Sequence, residues 1–169
     1  MVTLGILSDT HGHVGYTRDA VQVLRRERID LLLHCGDIGS HRIPSLLMEW
    51  PAHYVFGNVD YDEAMLRGAI RDVGGICHER CGDLTIAGCR IALLHSDDER
   101  KFKDIVESGK YDLVCYGHTH VARLDLQGRT RVLNPGALYR ATPHQIAIVE
   151  LPTWTIKHVV VSPTQDSVT

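Results

Sequence analysis

Five short segments carry the side chains able to do chemistry: "SDTHG" (8–12), "CGDIG" (35–39), "GNVD" (57–60), "LLHSD" (93–97) and "YGHTH" (116–120). Between them they hold Asp9, His11, Asp37, Asn58, His95, His118 and His120. Carboxylates, imidazoles and a neutral amide oxygen, with no thiolate, suit Mn²⁺, Fe²⁺ or Zn²⁺ rather than an iron–sulfur or structural zinc centre. Seven donors are too many for one ion. They are about right for two ions that share a bridging carboxylate, with water at the open positions. Glycines stand in or beside these segments where the backbone must turn sharply. In the last segment, period-two alternation would put His118 and His120 on one side of an extended chain.

Each segment ends an apolar run that reads as a buried strand: 2–9, 30–37, 53–60, 90–97 and 112–120. Helical periodicity between them predicts helices over 16–29, 42–50, 61–71 and 99–108. In open α/β sheets the loops beyond the carboxyl ends of the strands converge on the ligand site, so these elements would gather the seven donors. One hairpin interrupts the alternation before residue 120, and beyond it the pattern changes to hairpins altogether. Residues 84–88 and 90–97 pair around Gly88, 122–136 alternate around Gly128, and 145–151 pairs with 154–161 across Pro152. Strand–helix alternation followed by hairpins predicts two packed sheets with helices outside. A single domain over 1–169 is expected, with 162–169 a frayed polar tail.

The composition narrows the function classes. A formal charge of −3 gives no electrostatic footprint for tight nucleic-acid binding. The apolar start lacks a basic stretch and is interrupted at Asp9, so neither a signal peptide nor a membrane span is expected, and the cytoplasm is the expected location. Five cysteines form no disulfide framework; Cys35 and Cys115 sit in apolar runs as small hydrophobes. "CHERC" (77–81) lacks paired zinc-ligand spacing. His34, within a strand, reads as a core histidine, whereas His13 and His41 follow ligand loops closely enough to reach substrate. Arg25, Arg26 and Arg28 read as a solvated helix face. Trp50 and Trp154 are the candidates for a contact face in a homo-oligomer.

Asp-x-His, Gly-Asp, Gly-Asn-x-Asp, a strand-end His and Gly-His-x-His, in this order, resemble the calcineurin-like metallophosphoesterase superfamily. The compact "GNVD" makes the chain similar to its small bacterial and archaeal phosphodiesterase branch. The likeness runs over about residues 3–137, through "LNPGA" (133–137). The resemblance implies the metallo-dependent phosphatase fold, an α/β four-layer α/β/β/α sandwich of two mixed sheets flanked by helices. It implies one metal on Asp9, His11, Asp37 and His120 and another on Asp37, Asn58, His95 and His118, with Asp37 bridging. Asp37, Asn58 and His95 are the catalytic, metal-held positions. Mn²⁺ is the expected ion, with Fe, Zn and Ni as alternatives. The implied reaction is hydrolysis of a small phosphoester, a diester rather than a monoester, by in-line attack of a metal-bridging water.

Two positions depart from the family. Val59 stands where monoesterases often carry a histidine that assists the leaving oxygen, so no side-chain general acid is identified. Ser96 and Asp97 stand where the branch commonly shows glycine and histidine; Asp97 could orient a ligand imidazole, or Asp97 and Asp98 could cap the next helix. Asn134 and Gly136 are candidates for the rim, where backbone amides can meet phosphate. Two other readings compete: a non-catalytic protein-binding scaffold on the same fold, like the retromer subunit, and a nuclease acting on short oligonucleotides.

Overall fold

The computed structural model describes residues 1–163; residues 164–169, most of the expected tail, lie outside the described residues. The chain runs β1 (Val2–Leu7), α1 (Val14–Glu27), β2 (Leu31–His34), α2 (Arg42–Leu46), β3 (Ala52–Tyr54), α3 (Glu63–Asp72) and β4 (Ile76–Cys77). It continues with β5 (Cys81–Ile86), β6 (Cys89–Leu94), α4 (Glu99–Glu107), β7 (Leu113–Cys115), β8 (Arg123–Gln127), β9 (Thr130–Asn134), β10 (Gln145–Leu151) and β11 (Thr155–Val160). One sheet has the order β11-β10-β1-β2-β3-β4, the other β5-β6-β7-β9-β8. Both are mixed. β1 through β4 run parallel, and β10 closes on β1 antiparallel. In the second sheet β6, β7 and β9 are parallel, with antiparallel partners at both edges.

Three apolar layers follow from the alternation of side chains along each strand. Leu4, Ile6 and Leu33 meet Ile91, Leu93, Leu113, Cys115 and Leu133 between the sheets. Leu7, Leu32, Tyr54 and Ile148 face the other way, under Ala20, Leu24, Ile43 and Ile70 of the first three helices. Ala92, Leu94, Val114 and Val132 face α4, which covers them with Phe102, Ile105 and Val106. Burying one such side chain fully contributes about 1.5–3 kcal/mol. The result is the four-layer α/β/β/α arrangement.

The strands are shorter than their apolar runs. β3 stops at Tyr54 and β7 at Cys115, so "GNVD" and "GHTH" lie in loops rather than on extended chain. The two-residue edge strand β4 carries no hydrophobic pattern long enough to predict, and α2 ends four residues early, ahead of the turn at 47–50. Trp50 and Trp154 are partly buried; Trp154 lies under the Arg131 guanidinium at 4.2 Å from the ring centroid. All five cysteines are free, and Cys35 and Cys115 are fully buried. Among the described residues no helix is long and apolar enough to cross a membrane.

Candidate metal centre

The five segments meet at one end of the sandwich, and their backbones are tied to each other before any side chain is considered. Asp9 N donates to Gly36 O (3.0 Å), His11 N to Asp37 O (2.9 Å) and Gly12 N to Ile38 O (2.8 Å), joining the loops after β1 and β2. Asp60 joins the next loop to them. Its buried carboxylate accepts from Ile38 N (3.1 Å), Gly39 N (2.8 Å) and Gly57 N (2.8 Å). Burial raises its pKa against these bonds. Asn134, fully buried, donates to Gly117 O (3.0 Å) and Thr119 Oγ1 (3.1 Å), which anchors the GHTH loop.

Side chains then converge. His11 Nε2 lies 3.8 Å from Asp9 Oδ1, 3.6 Å from Asp37 Oδ2 and 3.3 Å from His120 Nε2. His95 Nε2 lies 3.3 Å from Asp37 Oδ2, 4.0 Å from Asp9 Oδ1 and 3.1 Å from Asn58 Oδ1. His118 Nδ1 joins at 3.0 Å from Asn58 Oδ1. All seven residues singled out in the sequence therefore stand in one connected cluster. Asp9, His11 and His120 form one group of donor atoms close enough to share an ion; Asp9, Asp37 and His95 form another.

The donors fit cations. His95 Nδ1 lies 2.8 Å from the Cys35 carbonyl, and His120 Nδ1 lies 3.3 Å from the Arg140 carbonyl. A carbonyl only accepts, so both rings carry their proton on Nδ1 and aim the Nε2 lone pair into the cluster, as second-shell bonds do for metal-ligating histidines. Asp9 Oδ1 is buried, and the group nearest to it is His120 Nε2 at 3.1 Å. Lone pairs aimed at lone pairs are repulsive without a positive charge between them.

The electrostatics point the same way. Burial lowers the pKa of His11 in spite of Asp37 and Asp9. Burial works against His95 too, but the neighbouring Asp37 and Asp9 carboxylates override it, so its pKa is raised. The Asp9 carboxylate raises His120. Asp37 is held below its ordinary value because His95 and the Val59 N–H (3.0 Å from Oδ1) outweigh its burial. Asp9, His11, Asp37, His118 and His120 all have φ between 45° and 69°. Such conformations cost on the order of 1–3 kcal/mol each and persist where the surroundings over-determine them. His118 and His120 are thus not on extended chain, and they go to different neighbours: His120 to Asp9 and His11, His118 to Asn58 and His95.

Two glycines act through size rather than through φ. A Cβ on Gly57 would stand 2.1 Å from Asp37 Oδ1 and 2.5 Å from Asp37 N, and one on Gly117 would stand 2.0 Å from Ser8 Oγ. Neither has a positive φ, so the expectation of sharp turns at these glycines gives way to close approach. Ser96, by contrast, occupies φ 80° with a side chain, its hydroxyl donating to Gly117 O at 3.3 Å. Asp98 caps α4 through Lys101 N (3.0 Å). Asp97 instead stands 3.9 Å from Arg80, whose Nη1 donates to Gly57 O (3.0 Å). Arg80 therefore braces the Asn58 loop. Nothing in the sequence near "CHERC" signals that role.

Other candidates are placed elsewhere. His13 caps α1, accepting from Tyr16 N at 3.2 Å, and stacks on Tyr16 and Tyr139. His41 is exposed at the start of α2 without a side-chain cap bond. Gly136 N is spent on Asn134 Oδ1 (2.9 Å) and buried, so that amide does not meet phosphate. Among the described residues, Cys77, His78 and Cys81 belong to no metal-competent group; His78 pairs with His53 at 2.8 Å.

His34 yields a stability prediction. It is fully buried, accepts from Gly36 N (3.2 Å) through Nδ1 and donates to Thr10 Oγ1 (3.0 Å) through Nε2, and burial pushes its pKa down to about 3. Its ordinary value is 6.5. Below that, the unfolded chain takes up a proton that the folded one refuses. Stability is full above pH 6.5 and falls toward pH 3, by at most about 1.4 kcal/mol per pH unit from this group. Urea unfolding at pH 7, 6 and 5, with chelator throughout, should show a steeper loss for wild type than for His34→Gln. Parallel losses would contradict the assignment.

Comparison with known proteins agrees with this picture. Residues 2–153 match the calcineurin-like phosphoesterase superfamily domain. A phosphodiesterase of Methanocaldococcus jannaschii is 28% identical over 139 residues, covering 79% of this chain and 82% of that one. A probable metallophosphoesterase of Bacillus subtilis is 28% identical over 142 residues, covering 79% of this chain and 73% of the other. The solved structure of an archaeal phosphodiesterase superposes with a TM-score of 0.87 at 25% identity, covering 94% of this chain and 99% of that one.

Proposed function

This chain belongs to the calcineurin-like phosphoesterase superfamily, and from that membership we propose that it is a dinuclear-metal-dependent phosphodiesterase. Asp9, His11, Asp37 and His120 hold one cation, and Asp37, Asn58, His95 and His118 the other. The observation that carries this reading is the convergence of imidazole Nε2 lone pairs on Asp9 Oδ1 and Asp37 Oδ2, with the tautomers set by backbone carbonyls. When bound, two divalent ions, Mn²⁺ first among them, supply Lewis acidity and an acidified water for in-line displacement at phosphorus.

The chain's own residues do the rest. The Cys35 and Arg140 carbonyls hold the His95 and His120 rings in place, Asp60 and Asn134 lock the loops, and the Val59 N–H holds the Asp37 carboxylate from the side. Val59 offers no side-chain proton to the departing oxygen. A general acid contributes about 10²- to 10⁴-fold, so substrates with good leaving groups are favoured. The extra negative charge of a monoester dianion beside Asp37 favours diesters further.

The test is elemental analysis of the purified protein together with hydrolysis of bis-p-nitrophenyl phosphate in added Mn²⁺. Two bound equivalents and metal-stimulated turnover are expected. Absence of both metal and turnover would overturn the reading in favour of a protein-binding scaffold.

A further inference from the structure

A cavity of about 220 Å³ lies beside the ligand loops, lined by Gly39, Val59, Asp60, Tyr61, Asp62, Met65 and Leu66. Its walls are the immediate neighbours of the ligand residues. Val59 follows Asn58, and its N–H reaches Asp37 Oδ1. Gly39 follows Ile38, whose carbonyl receives the Gly12 N–H next to His11. The cavity is smaller than the roughly 300–1,000 Å³ that houses a drug-sized ligand, so it takes one ring system rather than a whole molecule.

The chemistry of the walls selects the occupant. Tyr61 is 88% exposed and Met65 44%, large apolar side chains held in water beside a polar centre. The two acids nearby are already engaged. Asp60 accepts three backbone N–H groups, and Asp62 caps α3 through Met65 N (3.0 Å). Among the described residues no lysine or arginine lines the cavity. What remains is a valine methyl face, a phenol ring and a thioether, surfaces that pack well on a flat π system. The two aspartates oppose a second negative charge there.

We propose, resting on the phosphodiesterase reading, that the substrate is a diester with one neutral, planar arm of aryl or nucleobase size, seated in the Val59–Tyr61–Met65 cavity. A dialkyl diester lacks the ring, and an arm that bears a further phosphate or carboxylate is excluded by charge. The placement also matches the chemistry of an aryl arm, because a phenolate leaves beside Val59 without a proton from the protein.

Two phosphinates test this without turnover, since neither contains a P–O–C bond. Diphenylphosphinate and dimethylphosphinate carry the same single negative charge and differ in their arms. Calorimetric titration into the metal-loaded protein should show the diphenyl compound binding about tenfold tighter or more, as expected for burial of a ring. In Tyr61→Ala/Met65→Ala, checked for unchanged metal content and melting temperature, that ratio should collapse toward one. These two side chains lie at the surface, so trimming them leaves the core filled. Equal affinities in wild type, or a ratio that survives the double substitution, would overturn the cavity assignment while leaving the phosphodiesterase reading in place. Failure of both phosphinates to bind the metal-loaded protein would overturn both.

Discussion

Gly57→Ala is expected to lower kcat/KM for bis-p-nitrophenyl phosphate by about a hundredfold or more while the chain stays folded. The added methyl would stand 2.1 Å from Asp37 Oδ1, 2.5 Å from Asp37 N and 2.8 Å from His95 Cδ2, distances that real carbons do not occupy. Relief has to come from Asp37 or from the Asn58 loop. That loop is pinned by Asp60 accepting from Gly57 N and by Arg80 donating to Gly57 O, so Asp37 has to give, its carboxylate and its backbone nitrogen together. A displacement of about 1 Å at a reacting centre can cost 10²-fold, and overpacking of this kind destabilises by about 1–3 kcal/mol. Gly68→Ala is the matching control. It lies in α3 with open space at its Cβ position and is expected to leave turnover alone and to stabilise slightly. Wild-type turnover in Gly57→Ala would show that the close approach does not set the position of Asp37.

Asp37→Ala should reduce hydrolysis to the uncatalysed background and remove both metals together. Asp37 Oδ2 lies 3.6 Å from His11 Nε2 and 3.3 Å from His95 Nε2, nearer to both than Asp9 Oδ1 at 3.8 Å and 4.0 Å, although Asp9 too belongs to both donor groups. Thermal unfolding supplies a second readout. A ligand at a hundredfold excess over its Kd stabilises the folded state by about 2.7 kcal/mol, so Mn²⁺ should raise the melting temperature of wild type by several degrees and that of the variant hardly at all. A variant that kept one tightly bound equivalent and near-normal turnover would show that Asp37 does not bridge.

The sequence by itself singled out the seven polar residues that converge and determined the general architecture. A strand end, a small residue and a polar donor are neighbours in the chain, so each of the five segments could be read locally, and the alternation of strands and helices required two covered sheets. Strand ends, turns and shared geometry were decided elsewhere. Period-two reading put His118 and His120 on one side, because it assumes extended chain; both adopt left-handed φ once Asn134, Asp9 and the Arg140 carbonyl hold the loop. Those partners lie between 15 and 109 residues away in sequence, and no local pattern encodes such distances. The same holds for Arg80, for Asp60 as the latch between two loops and for glycines required by the approach of a distant carboxylate. Residue type and order travel along the chain, whereas tautomer, spacing and the emptiness a glycine leaves are properties of surfaces that meet only after the two sheets have packed.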